Sequence, residues 1–176
     1  MSMKKLEEYV RSIPDFPEKG IIFRDITSVL QDKDSLKMAI DAIEKELEGV
    51  DFDLVLGPES RGFIFGVPIA YNMEKGFIPV RKKGKLPCET VEMEYDLEYG
   101  TAVIEMHKDA IQPGQKVVIV DDLIATGGTI EAITKLVESL GGEVVKIVFL
   151  MELKGLKGRD KLQDYDVASI ISYEGK

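Results

Sequence analysis

Two adjacent aspartates followed by a loop of small residues carry the clearest chemistry in this sequence. The apolar residues 117–120 lead into Asp121 and Asp122. Backbone N–H groups of a small-residue loop bind a phosphate, and the helix that follows adds about 0.3–1 kcal/mol per charge. The two carboxylates would repel by about 3 kcal/mol at about 5 Å and an effective dielectric of about 20, which sugar hydroxyls or a nearby Mg²⁺ would offset. The loop consists of Ala125, Thr126, Gly127, Gly128 and Thr129.

The same loop lacks two common nucleotide-binding motifs. No Gly-Lys-Ser/Thr follows it, which excludes the P-loop of ATPases, and no G-x-G-x-x-G accompanies the strand, which excludes the dinucleotide fingerprint. The structural alternative is a strand that ends in two solvated aspartates before a helix capped by Thr126. Each of those features is common alone and their combination is much rarer, so the loop favours a monophosphate site.

Strand and helix patterns predict where this loop lies. Consecutive β-α-β units imply a mainly parallel sheet with right-handed crossovers, whose ligands bind beyond the carboxyl ends of the strands. We therefore expect an α/β fold with a mainly parallel sheet flanked by helices. The predicted strands lie at residues 54–56, 77–80, 117–120 and 144–150, and the helix after the third has one apolar face, formed by Ile130, Ile133, Val137 and Leu140.

The N-terminal residues and one central segment have less regular patterns. Asp34 is the predicted N-cap of a second helix that ends near Gly49. Residues 82–99 contain the most turn and charge signals, and their length indicates a mobile lid. Helical spacing before Pro14 predicts a short first helix, whose apolar positions are Leu6, Val10 and Ile13.

The composition indicates one folded domain of 176 residues. Hydrophobic residues make up 44% and charged residues 31%, which is ordinary for a globular protein and argues against disorder. The net charge of −9 argues against binding to nucleic acid or to an anionic membrane surface. No apolar run approaches the roughly 20 residues that cross a bilayer. Cys88 is the only cysteine, and the first residues lack the apolar core of a signal peptide, so we expect a cytoplasmic protein.

Residues 117–129 resemble the signature with which type I phosphoribosyltransferases bind 5-phosphoribosyl 1-pyrophosphate (PRPP). Residues 16–26 resemble the base-recognition segment of the adenine phosphoribosyltransferases, and three further blocks, 59–63, 81–87 and 97–100, occur in the order of that family. The resemblance implies the type I fold, with an N-terminal helix and base-binding hood at residues 1–33 and a core at 34–176. It also implies transfer of the phosphoribosyl group of PRPP to N9 of adenine, giving AMP and pyrophosphate.

The resemblance assigns roles to individual residues. The 5′-phosphate lies in the loop 125–129, and Asp121 and Asp122 hold the ribose hydroxyls. Glu98 is the candidate acid/base, and Tyr99 beside it closes the lid. Adenine is bound by Ile22, Phe23, Arg24 and Leu123. Pyrophosphate is bound by Glu59, Ser60, Arg61, Arg81, Lys82 and Lys85, with an expected cis peptide bond between Glu59 and Ser60.

Mg²⁺ is expected with PRPP, held mainly by PRPP and water and by no direct protein ligand. A basic residue of the block 81–85 reaches the neighbouring subunit's PRPP in similar enzymes, which implies a homodimer. Ordinary alternatives stand beside these roles: Phe23 as core packing, Arg24 paired with Asp25, and Glu98 as one of many acidic surface residues. Two other functions also stay open, a 6-oxopurine phosphoribosyltransferase and a non-catalytic module that senses PRPP or purines.

Overall fold

The structure, a computed structural model, describes residues 4–97 and 100–175. The regular elements, in chain order, are β1 (Arg11–Pro14), β2 (Ile22–Asp25), α1 (Thr27–Gln31), α2 (Lys33–Leu47), β3 (Leu54–Pro58), α3 (Arg61–Asn72), β4 (Gly76–Lys82), β5 (Thr90–Asp96), β6 (Thr101–His107), β7 (Lys116–Ile124), α4 (Gly128–Ser139), β8 (Glu143–Leu153) and β9 (Val167–Tyr173). Short 3₁₀ helices lie at Leu6–Tyr9, Lys154–Leu156 and Gly158–Lys161.

The central sheet is mainly parallel, as the β-α-β pattern predicts. Within the described residues it has seven strands in the order β5-β6-β4-β3-β7-β8-β9. Strands β4, β3, β7, β8 and β9 are parallel to their neighbours in that series, whereas β5 and β6 form an antiparallel edge beside β4. The parallel strands therefore bring the turns after β3 and β7 to the same end of the sheet.

Helices cover both faces of the sheet because successive strand side chains point to opposite sides. Val118 and Val120 of β7 pack with α2 and α3, whereas Val117 and Ile119 pack with α4 on the other face. These β7 side chains are fully buried. Each such side chain contributes about 1.5–3 kcal/mol by leaving water, so the strand that carries the aspartates is held firmly from both sides.

Two local predictions at the N-terminus are wrong. The helical pattern yields only a single 3₁₀ turn, Leu6–Tyr9, and Ile13 lies in β1, where it pairs with Phe23 of β2. Pro14 disfavours helical geometry in the residue before it, and the pairing with β2 provides an alternative set of hydrogen bonds. Asp32, and not Asp34, caps α2.

The Asp32 side chain accepts hydrogen bonds from the backbone N–H groups of Asp34 and Ser35, at 3.0 and 2.9 Å. Its backbone is extended and therefore stands outside both helices, which is the geometry of an N-cap. Asp34 instead lies in the first turn of the helix, where its negative charge interacts favourably with the positive end of the helix dipole.

The segment predicted as a lid, residues 82–99, contains regular structure. Its residues Thr90–Asp96 form β5, an edge strand paired with β6 along its length. Glu98 and Tyr99 lie outside the described residues. In the described parts of the chain, 4–97 and 100–175, every helix is too short or too polar to cross a membrane.

Candidate active site

A cleft of about 280 Å³ opens where β3 and β7 end and α3 and α4 begin. Its walls come from the turn after β3, the end of β7, the loop that follows β7 and one side chain of β5. The lining residues of these turns and helix starts include Glu59, Ser60, Arg61, Asp121, Asp122, Leu123 and the whole loop Ala125, Thr126, Gly127, Gly128 and Thr129; Tyr95 is the contribution of β5. The fold thus assembles most of the predicted site.

The two aspartates differ in their surroundings. The Asp122 side chain is only 5% exposed, and the Nε atom of Arg61 lies 3.0 Å from its Oδ2. This contact has the geometry of an ion pair, and Oδ2 accepts no hydrogen bond from the described residues. Asp121 accepts a hydrogen bond from the backbone N–H of Asp122 at 2.8 Å. Asp122 is therefore a buried anion of the cleft whose cationic partner is Arg61.

The local environment disfavours two negative charges at this position. Burial raises the pKa of Asp121 well above its ordinary value, and the neighbouring Asp122 carboxylate raises it further. Burial also raises the pKa of Asp122, although the Arg61 guanidinium opposes that rise. Ligand groups that donate hydrogen bonds to these carboxylates, such as ribose hydroxyls, would stabilise their charged forms.

Asp121→Asn is expected to stabilise the unliganded protein at neutral pH by about 1–3 kcal/mol, the usual range for a poorly compensated buried polar group. Because the folded-state pKa of Asp121 is raised, the stability it contributes is present below its unfolded pKa and is lost as pH rises through the folded value. The gain in melting temperature, roughly 2–4 °C per kcal/mol, should therefore grow from acid to neutral pH. Thermal unfolding of both proteins across that range measures it; a gain independent of pH would contradict the assigned cause.

The loop after β7 exposes its backbone to the cleft at the start of α4. Gly127 is the N-cap of this helix and has a φ of +78°, a left-handed conformation that glycine adopts without strain. Gly127 and Gly128 are buried, whereas Thr126 is exposed. The N–H groups of the first helical turn lack intrahelical partners and attract an anion. We call this loop, residues 125–129, the phosphate loop.

Glu59 lines the cleft, and its carboxylate holds residues of the segment 81–85, which we call the basic block. The peptide bond between Glu59 and Ser60 is cis, as the resemblance implies. The Oε1 atom of Glu59 accepts from the backbone N–H of Lys82 at 2.7 Å and from Nε of Arg81 at 3.3 Å. Burial alone would raise the pKa of Glu59, but these two donors outweigh it and lower the pKa. The side chain therefore positions Arg81 and Lys82.

Glu105 is a second anchor of the basic block, and sequence reasoning missed it. This β6 residue is 3% exposed, and its Oε1 accepts the backbone N–H groups of Lys85 and Leu86 at 2.8 and 2.7 Å. Burial would raise the pKa of Glu105, but the backbone donors outweigh it and the pKa is lowered. No local motif marks this residue, because its partners lie about twenty positions earlier in the chain.

The predicted base-binding residues are not brought together. Leu123 lines the cleft, but among the described residues Ile22, Phe23 and Arg24 do not. Phe23 packs edge-on against Phe16 with ring centroids 5.2 Å apart, and Ile22 is 41% exposed. These residues belong to the two-stranded sheet of β1 and β2, which is separate from the central sheet.

Arg24 makes contacts other than the alternative pair with Asp25. Its guanidinium carbon lies 3.9 Å from the ring centroid of Tyr173, and it donates to the hydroxyl of Ser12. Asp25 instead accepts from the backbone N–H of Thr27 at 2.8 Å, at the start of α1. Arg24 thus fastens the small sheet to β9.

Tyr95 is a further cleft residue that sequence reasoning missed. It lies on β5 and also packs against the core on the α4 side of the sheet, together with Val91 and Met93. These three apolar residues alternate with charged ones, which is the period of a half-buried strand. That alternation was the available signal, and the many charges in the segment obscured it.

Comparison with known proteins identifies the family. The phosphoribosyl transferase domain matches residues 25–175. Adenine phosphoribosyltransferase of Lachnoclostridium phytofermentans is 82% identical over 174 residues, which cover 99% of this chain and 100% of the relative. Adenine phosphoribosyltransferase of Agathobacter rectalis is 66% identical over the same shares of the two chains.

Solved structures agree with these relatives. Adenine phosphoribosyltransferase from Thermoanaerobacter pseudethanolicus superimposes with a TM-score of 0.92 at 58% identity, covering 96% of this chain and 100% of that one. The Saccharomyces cerevisiae enzyme, crystallised with an imino-altritol bisphosphate and adenine, has a TM-score of 0.88 at 41% identity, covering 94% of this chain and 96% of that one. With the phosphate loop and paired aspartates in place, the chain belongs to the adenine phosphoribosyltransferase family of pentosyltransferase enzymes.

Proposed function

We propose that this chain transfers the 5-phosphoribosyl group of PRPP to N9 of adenine, which produces AMP and pyrophosphate and salvages the purine. The observation that carries the proposal is the cleft in which Asp121 and Asp122 face the phosphate loop. Sugar phosphates carry an anion and vicinal hydroxyls a few ångströms apart. A backbone anion site beside two buried carboxylates matches both groups.

The ribose 5-phosphate part of PRPP binds with its phosphate in the phosphate loop and its hydroxyls on the two aspartates. Arg61 already stands 3.0 Å from Asp122, so it lies beside the place where the departing pyrophosphate is released. Its side chain is 45% exposed and can turn toward an anion while its neighbour binds a hydroxyl. Arg81, Lys82 and the Lys85 segment, held by Glu59 and Glu105, add positive charge for the same group.

In adenine recognition, Leu123 contacts one face of the ring. The hood residues Ile22, Phe23 and Arg24 lie on the other side of the base. Backbone groups near Ile22 and Arg24 would donate to N1 and accept from the 6-amino group. A 6-oxo purine would leave such groups unpaired, which costs a factor of about 10⁴ or more in sites of this kind. These residues do not line the cleft itself, so the base would bind at its edge, between Leu123 and the small sheet.

Mg²⁺ fits this site as a companion of PRPP. In residues 4–97 and 100–175 no group of three His, Cys, Asp or Glu side chains could cage a metal ion, so the ion would be held mainly by PRPP and water. Asp121 and Asp122 line the cleft and would contact its water shell. The ion would supply positive charge to the pyrophosphate as it leaves.

An activity assay with PRPP and Mg²⁺ against each purine base tests the proposal. AMP formation from adenine, with turnover of hypoxanthine, guanine and xanthine lower by about 10⁴-fold, is the expected outcome. Turnover of a 6-oxo base instead would favour the rival phosphoribosyltransferase. Binding of PRPP without turnover of any base would favour a sensing module.

We also infer a homodimer built on α3. Three large apolar side chains of this helix, Ile64, Val67 and Tyr71, are 39%, 49% and 83% exposed and lie on one face at helical spacing. The same helix begins at Arg61, in the cleft. A second copy packed on this face would lie beside the cleft, where its own basic block could reach the bound PRPP, as the sequence resemblance implies.

Val67→Glu is expected to convert the protein to a monomer and to lower activity, since it places a charge in the centre of the apolar face. Sedimentation velocity combined with the adenine assay measures both effects. Gln31→Glu adds the same charge at an exposed position of α1 and should leave the dimer intact. A wild-type protein that is monomeric and fully active would rule the homodimer out.

The lone Cys88 and the net charge of −9 support a cytoplasmic enzyme that acts on small molecules and binds neither nucleic acid nor membranes. We propose that the chain forms a single phosphoribosyltransferase domain with the hood at residues 1–33.

A further inference from the structure

The phosphate loop rests directly on another part of the chain. Gly158, in the 3₁₀ segment between β8 and β9, lies against Ala125 and Gly127. A Cβ on Gly158 would overlap the carbonyl oxygen of Ala125, would lie 2.7 Å from Cγ1 of Ile124 and would stand 3.0 Å from the backbone nitrogen of Gly127. The contact is mutual, because a Cβ on Gly127 would overlap the carbonyl oxygen of Gly158. Two backbones therefore meet with no side chain between them.

The supporting segment is itself pinned in place next to Gly158. Arg159 binds both carboxylate oxygens of Glu152, with Nε at 3.0 and 2.9 Å. It also donates to the carbonyl oxygen of Val167 at 2.8 Å and to the hydroxyl of Ser169 at 3.0 Å. Glu152 is only 7% exposed. These contacts of the Arg159 guanidinium hold the segment to both β8 and β9. The backbone that supports the phosphate loop therefore cannot easily move away from it.

We infer that Gly158 is a positioning residue for the phosphate of PRPP. Its backbone contacts the phosphate loop and thereby fixes the position of the loop's backbone N–H groups. The inference rests on the proposed function in that the loop must bind the phosphate. A loop that binds through backbone N–H groups depends on their directions, because hydrogen bonds weaken steeply away from linearity. Any side chain at position 158 would push Ala125 and Gly127 toward the cleft and misdirect those groups.

The backbone conformation of Gly158 allows its substitution by alanine to test the contact alone. Its φ lies outside the left-handed range, so alanine can adopt the same backbone without strain and the effect of Gly158→Ala is purely one of space. Gly155 is a matched control in the neighbouring 3₁₀ turn. The three atoms nearest to a Cβ there belong to Gly175, at 3.0 Å, and to Glu174, and none belongs to the phosphate loop.

Steady-state kinetics with PRPP and adenine varied separately tests the inference. Gly158→Ala is expected to raise the KM for PRPP by about 10–100-fold, the loss expected when a hydrogen bond to a charged group, about 1.5–3 kcal/mol, is misdirected. The KM for adenine should change by less than about threefold, and kcat should fall much less than kcat/KM for PRPP. Gly155→Ala should leave the KM for PRPP unchanged. Equal effects on both substrates, or an equal effect of Gly155→Ala, would overturn the inference.

Titration with ribose 5-phosphate separates this inference from the proposed function, because it measures the phosphate loop without turnover. Weaker binding by Gly158→Ala than by wild type would support the inference even if the wild type had no activity with adenine. Arg159→Lys keeps the charge but loses the guanidinium contacts with Glu152, and it covers the case in which Gly158→Ala does not fold. We expect it to raise the KM for PRPP selectively, by a smaller factor. Unchanged binding of ribose 5-phosphate in both variants would refute the role.

Discussion

Asp122→Asn is expected to weaken PRPP binding by about 10–100-fold and to lower turnover as well, since a charged acceptor of a buried hydrogen bond contributes about 1.5–3 kcal/mol. The substitution keeps the shape of the side chain and removes its charge. It also leaves Arg61 without the carboxylate that stands 3.0 Å from its Nε. Isothermal titration with PRPP and Mg²⁺ measures the affinity, and the adenine assay measures the turnover.

Asp166→Asn is a matched control for that experiment. This carboxylate is exposed and contacts only Lys146, at 3.2 Å, among the cations of the described chain, far in sequence from the cleft. Surface ion pairs of this kind contribute about 0–1 kcal/mol, so its loss should leave PRPP binding unchanged. An unaltered PRPP affinity in Asp122→Asn would show that this carboxylate does not hold the ribose.

Glu98→Gln is expected to lower kcat by about 10²–10⁴-fold, the usual contribution of a positioned general base, and to leave PRPP affinity within about twofold of wild type. The role of Glu98 as the group that takes the N9 proton rests on the family resemblance. Tyr95, three residues earlier on β5, lines the cleft. Single-turnover kinetics with saturating PRPP isolates the chemical step.

The matched control for Glu98→Gln is Glu94→Gln, an exposed position on β5. It removes the same charge from the same segment without touching the proposed proton transfer, so kcat should stay within about twofold of wild type. The pH profile of kcat adds a second test, because loss of a general base removes the limb that its titration produces. Equal turnover of Glu98→Gln and wild type would place the base elsewhere.

Prediction from sequence succeeded where the signal is local. The strands 54–56, 77–80, 117–120 and 144–150 all appear, because parallel strands buried on both faces read as nearly continuous apolar runs. The loop 125–129 lies at the start of α4 because glycine and small residues mark a strand-to-helix turn. Prediction failed at Ile13 and Asp34, where spacing alone could not weigh a competing strand pair or a neighbouring cap.

The contacts of the charged residues were harder to predict. The resemblance assigns Arg61 to pyrophosphate, and the structure shows its Nε 3.0 Å from Asp122. The resemblance places Glu59 among the pyrophosphate-binding residues, and the structure adds that its carboxylate fixes Arg81 and Lys82. The sequence indicates that these charged side chains lie around one ligand. It does not indicate which of them pair with each other in the folded chain.

The amino-acid sequence by itself determined the order of elements, the mainly parallel sheet, the phosphate loop and the family, because each depends on residue types within a few positions of one another. Only the tertiary structure decided that Glu105 holds the backbone of Lys85 and that Gly158 supports the phosphate loop. These contacts join residues about twenty to thirty positions apart, and each has a backbone group on at least one side. Because backbone groups carry no sequence signal, such contacts become visible only once the chain has folded around them.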